Sequence, residues 1–69
     1  MDETILEKIR LKLSVLQDII EIIYNKAVVY NQITKDLDYS VDWAIIDCID
    51  KYKNTNEVFK SMAKVLYGK

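Results

Sequence analysis

Asp36, Asp38, Ser40 and Asp42 occupy alternate positions, and Asp47 follows where a helix–loop–helix calcium site puts its last ligand. Hard oxygen donors at that spacing are what a divalent cation asks of a loop. Two positions refuse the chemistry. Val41 stands where the sharp turn needs Gly, and Asp47 replaces the Glu that closes such a site with both oxygens. A helix capped at Ser40 would also destroy the loop, so no metal is expected. Nucleophilic catalysis fares no better. The sequence has no His, which removes the usual general base near neutral pH and the usual zinc ligand sets. Ser14, Ser40 and Ser61 have no visible base beside them. Cys48 falls on an apolar helix face, where a buried thiol is inert. The one glycine, Gly68, excludes a Gly-rich phosphate loop. The chain is expected to be no enzyme and to need no cofactor.

The elements that position these residues must be helices. The 69 residues include no Pro, and 51% are apolar, enough for a packed core. A single domain is expected, and at this length only about 60% of the unfolded surface is buried, so stability is marginal. One cysteine allows no internal disulfide, which leaves association with another chain as the remaining source of stability. The net charge of −1 gives no global electrostatic case for nucleic acid or an anionic membrane. The opening "MDETILEKIR" is acidic where a secretory signal is basic, and no apolar run is long enough to span a bilayer. These features point to a reducing cytoplasm, that of the host should the gene be viral.

Leu6, Ile9, Leu13, Leu16, Ile20, Ile23, Ala27, Tyr30, Thr34 and Leu37 recur at spacings of three and four. That heptad seam predicts a helix over about 4–37, with a break allowed near 25–31, where Asn interrupts better helix formers. Thr4 with Glu7 fits a capping box for its start. Ser40 is the expected cap of a second helix over about 41–53, with Asp42 in its first turn. Asn54 with Glu57 opens a third over about 55–67, which Gly68 closes. A second apolar stripe, Leu11, Val15, Ile19, Ile22, Val29 and Ile33, asks for a second covering surface. The expected fold is a small all-α bundle with a long N-terminal helix and two short C-terminal helices. The long helix would measure roughly 50 Å and outrun its neighbours. Its exposed seam, Leu6, Ile9, Leu13, Leu16, Ile20 and Ile23, is therefore the expected homodimer interface. A helix broken into a four-helix monomer is the alternative.

The run "ITKDLDYS" followed by a helix resembles the core of the helix-turn-helix family, "I-A-x-x-L-G-h-S". Ile33, Leu37 and Tyr39 match its apolar positions and Ser40 its cap, over about a quarter of the chain. Asp38 replaces the turn Gly and Thr34 the small Ala. The resemblance implies a dimeric DNA-binding regulator. The charges of the would-be recognition helix argue against it. Val41, Ala44, Ile45, Cys48, Ile49 and Tyr52 converge on one face, which must be core. The opposite face holds Asp42, Trp43, Ile46, Asp47 and Asp50, and carboxylates there repel the phosphates that such a helix must approach. DNA binding would have to use Lys51, Lys53, Lys60 and Lys64 instead.

An acidic face centred on Trp43 and Ile46 has the makings of a protein-docking surface, an aromatic anchor within a polar rim. The fitting partner has an apolar pocket and a basic rim. The expected function is a protein–protein interaction module, an adaptor or small inhibitor acting by occlusion. Many phage or plasmid accessory proteins are of this size. A regulator of the helix-turn-helix kind and a purely structural homo-oligomer are the alternatives. Against the docking reading of Trp43 stands its packing beneath the first helix or against a second protomer.

Overall fold

The computed structural model describes residues 2–68. They form four helices and no strand: α1 (Glu3–Lys12), α2 (Gln17–Thr34), α3 (Leu37–Tyr52) and α4 (Glu57–Tyr67). The long N-terminal helix expected from the heptad seam is two helices. The break lies at residues 13–16, whose ends are extended at Leu13 (φ −133°, ψ 133°) and Leu16 (φ −63°, ψ 153°). Nothing breaks near 25–31, and α2 runs through both Asn25 and Asn31.

The reversal at 13–16 lays α1 antiparallel on α2. Asp2 N–H donates to the Tyr24 hydroxyl at 2.6 Å, and the Arg10 guanidinium to Gln17 Oε1 at 3.3 Å. Folding back makes one chain supply both sides of the seam. Leu6, Ile9, Ile20 and Ile23, assigned from the sequence to a dimer interface, are all buried in the chain's own core. Leu13 is half-buried, and Leu16, beyond the turn, is exposed.

Caps explain where each helix starts. Asp2 caps α1, accepting from Thr4 N–H at 2.9 Å, so the cap is Asp2 and not a Thr4–Glu7 box. Asp36 caps α3, accepting from Tyr39 N–H at 3.0 Å. The helix therefore begins at Leu37, and Ser40 sits inside it as a fully buried residue rather than as its cap. Its hydroxyl donates back to the Asp36 carbonyl at 2.6 Å, the bond a Ser in mid-helix makes when water is excluded. Asn56, rather than Asn54, caps α4, its Oδ1 accepting from Val58 N–H at 2.9 Å and Phe59 N–H at 3.2 Å. Gly68 ends α4 where a methyl group would lie 2.5 Å from the Lys64 carbonyl oxygen.

Between α2 and α3 the chain reverses in two residues. Lys35 takes the left-handed conformation (φ 59°, ψ 15°) while its N–H donates to the Asn31 carbonyl at 3.0 Å. Asp38, expected at this turn, is helical. Polar contacts then run along both helices: Thr34 with Ser40, Tyr30 with Asp47, and the Cys48 thiol with the Ile22 carbonyl. The contacts pair the end of α2 with the start of α3 and run antiparallel from there, and the turn lies at Lys35 and Asp36 rather than at Asp38, where the resemblance in "ITKDLDYS" puts it.

α3 is the central helix. α1 runs beside it in the same direction, with Lys8 paired to Asp38 and Lys12 to Asp42. α4 packs on α3 with both of its ends at the last turn of that helix, Phe59 on Tyr52 (ring centroids 5.4 Å apart) and the Tyr67 hydroxyl donating to Asp50 at 3.2 Å. The core joins Ile5, Leu6 and Ile9 of α1, Ile19, Ile20, Ile23 and Ala27 of α2, and Val41, Ala44, Ile45, Cys48 and Ile49 of α3. From α4 it takes Phe59 alone.

Candidate functional site

The apolar face read from the α3 sequence is the one the fold buries: Val41, Ala44, Ile45, Cys48 and Ile49 are enclosed and Tyr52 is half-buried. The opposite residues Asp42, Trp43, Ile46, Asp47 and Asp50 point outward, but they do not make one surface. Trp43 and Asp47 lean toward α2. Asp42 and Ile46 line a groove on the other side of α3. Asp50 reaches toward the end of α4.

On the α2 side stands an aromatic pair. Trp43 is 40% exposed and meets Tyr39 edge to face, with centroids 5.7 Å apart and planes at 61°. Tyr39, one turn earlier, is itself half-exposed. The Tyr30 hydroxyl on α2 donates to Asp47, and that bond is the main cause holding the phenol above its ordinary value of 10.0. Sequence reasoning missed Tyr39 and Tyr30, having assigned one to a turn motif and the other to the heptad seam. The four-residue spacing of Tyr39 and Trp43 was the available signal.

The carboxylates of the outward face are largely answered from within the chain. Lys12 lies 2.7 Å from Asp42 and 3.8 Å from Asp38, and Lys8 lies 2.5 Å from Asp38. The hydrogen bond to Asp42 raises the Lys12 ammonium above 10.5, and the bond from Lys8 holds the Asp38 carboxyl below 3.8. Asp50 has Lys53 at 3.7 Å as well as the Tyr67 hydroxyl. The face read as acidic therefore carries mostly paired charge. The calcium-like spacing disperses the same way, because from Leu37 onward its members radiate from a helix while Asp36 serves as a cap. Among the described residues, no three His, Cys, Asp or Glu side chains converge as a metal site.

On the other side of α3 is an open apolar groove of about 770 Å³ between the end of α1 and α4. Ile45, Ile46 and Ile49 form its floor, with Leu13 and Val15 on one wall and Val58, Met62 and Val65 on the other. The paired Lys12 and Asp42 stand at its edge. Val65 is 84% exposed and Leu66 more than half. Of the apolar residues of α4, the fold covers only Phe59 fully. A smaller cavity of about 320 Å³ lies between α2 and α3 beside Cys48, whose thiol burial pushes above its ordinary 9.0. That thiol is protonated at neutral pH and is a poor nucleophile.

The lysines that DNA binding would require are scattered. Lys51 lies over the Tyr52 ring at 5.5 Å and Lys53 over the Tyr67 ring at 5.9 Å, while Lys60 and Lys64 project from α4. Among the described residues, no helix is long and apolar enough to cross a membrane. Comparison with models of known families, with characterised proteins and with solved structures finds no match.

Proposed function

We propose that the chain is a non-catalytic protein-binding module, an adaptor or small inhibitor, that acts by covering part of its partner. The observation that carries this reading is the half-exposed Trp43–Tyr39 pair on a helix whose other face is locked into the core. Large, rigid aromatic side chains bury much apolar area at little cost in conformational freedom, which is why they dominate binding hot spots. Holding them edge to face fixes their orientation before the partner arrives. The partner offers an apolar pocket for the indole. Asp47, on the Trp43 side of α3, then meets its basic rim and favours correct encounter, while Asp42 and Asp50 lie off this surface and are paired within the chain. The module belongs in a reducing cytoplasm, where Cys48 stays a thiol.

The test is an affinity capture from nuclease-treated native-host lysate with wild type and Trp43→Asp, both confirmed helical by circular dichroism. A protein held by wild type and lost from the variant is the expected outcome. Retention of the same protein by Trp43→Asp would overturn the surface. Steeply salt-dependent binding to duplex DNA would replace the reading with that of a regulator.

A further inference from the structure

We propose that the groove between α1, α3 and α4 is covered by α4 of a second copy of this chain, in an antiparallel, two-fold symmetric dimer. The groove and the ridge that would fill it are adjacent on one molecule. Val58, Met62 and Val65 form the α4 wall, and Val65 and Leu66 stand out from it largely exposed. A patch that carries both a ridge and the groove beside it is self-complementary under a two-fold axis, which isologous dimers require.

Charge selects the occupant and its direction. Glu57 and Lys64 lie seven residues apart, one position before Val58 and Val65, so they flank the apolar stripe on the same edge of α4. Among the described residues, neither forms an ion pair within the chain. Antiparallel α4 helices set Glu57 of each copy against Lys64 of the other at both ends of the contact. Parallel helices forgo both pairs. Ser61, midway along the stripe and small, lets the two helices approach closely at the axis. At the far edge of the groove Lys12 already neutralises Asp42, so the surface brings no net charge to repel its own copy or attract a charged stranger. The interface lies across α3 from Trp43 and leaves that surface open on both copies. Of the heptad seam it takes in Leu13 alone, while Leu6, Ile9, Ile20 and Ile23 are buried in the chain's own core.

Sedimentation equilibrium on the full chain, from micromolar to submillimolar concentration, reads the dimer directly. Wild type is expected to approach twice the 8.1 kDa chain mass. Val65→Asp changes a solvent-facing side chain of the lone chain and should leave its circular dichroism intact, yet weaken the dimer at least about 100-fold by burying an unpaired carboxylate. Glu57→Lys and Lys64→Glu should each weaken it roughly threefold to tenfold, since the axis repeats every change, and the double variant should recover. Trp43→Asp should leave the mass unaltered, which separates failure here from failure of the partner-binding surface. A mass of one chain throughout overturns the proposal. So does a dimer indifferent to Val65→Asp, or a double variant weaker than either single one. Saturable binding of the apolar dye ANS by a chain that stays monomeric would assign the groove to another occupant.

Discussion

α2 and α4 are both amphipathic, and α3 treats them differently. α2 places Ile19, Ile20, Ile23 and Ala27 in the core, lies against both α1 and α3, and is tied to α3 from Ile22 to Thr34. α4 divides its apolar and polar residues more cleanly, yet commits only Phe59 and packs on α3 alone among its larger contacts. Apolar segregation shows that a helix has a face to cover; it does not say that its own chain covers it. In a domain this small, three helices complete the core. The fourth adds one fully buried residue and the partly covered Val58, Met62 and Ala63, and leaves Val65 and Leu66 outside, a leftover stripe of the kind that marks an association surface.

The comparison breaks most visibly at Phe59. Phe59→Ala should cost about 3–5 kcal/mol, and because it removes the one fully buried residue of α4, the loss should be local first. Hydrogen exchange is expected to show α4 amides opening while those of α2 and α3 keep their protection. Coincident loss in all helices would mean that α4 is as integral as α2.

A smaller change sharpens the contrast from the other side. Lys35 holds a left-handed conformation that costs a side-chain-bearing residue energy and glycine none. Lys35→Gly should stabilise the chain in urea by about 0.5–1 kcal/mol, widening the gap in exchange protection between the α2–α3 hairpin and α4. A loss of stability would show that the Lys35 side chain matters more than its backbone.

The smallest effect concerns the ion pair that joins α1 to α3. The Asp38 carboxyl is lowered by Lys8, so its contribution is fully present above its ordinary value of 3.8 and is lost as pH falls through the lowered folded value. Asp38→Asn should therefore lower Tm slightly at pH 7 and not at all once acid has protonated the wild-type carboxylate. A difference of equal size at both extremes would mean that the pair acts through packing instead.

Much of this was legible from residues. The buried face of α3, the all-helical class and a helix ending at Gly68 follow from periodicity and composition. The break at 13–16 was not. Leu13, Ser14, Val15 and Leu16 include no Pro, Gly or Asn, and Leu13 and Leu16 keep the seam's spacing, so the local pattern reads as unbroken helix. What bends the chain is the gain from bringing Leu6 and Ile9 onto Ile20 and Ile23, which no window around the bend contains. The start of α3 was misplaced for a related reason. Ser40 is a good cap by type, but Asp36 is as good and comes first, and burial of Ser40 settles which is used. The exposed pairing of Trp43 with Tyr39 was half-legible. Periodicity puts Trp43 on the outward side of α3, while the lysines of α1 that neutralise the neighbouring acids arrive from about thirty residues away.

The reversals at 13–16, 35–36 and 53–56 also set how the chain finds its fold. α2 doubles back on α1, α3 doubles back on α2, and α4 meets the end of α3 across residues 53–56, so each encounter between neighbouring helices closes only a short loop. The chain has few distant partners to search for, and a topology of that kind is expected to fold on the order of microseconds to milliseconds. Synthesis from the N-terminus would complete α1 through α3 while α4 is still emerging, leaving the least-committed helix as the last to settle.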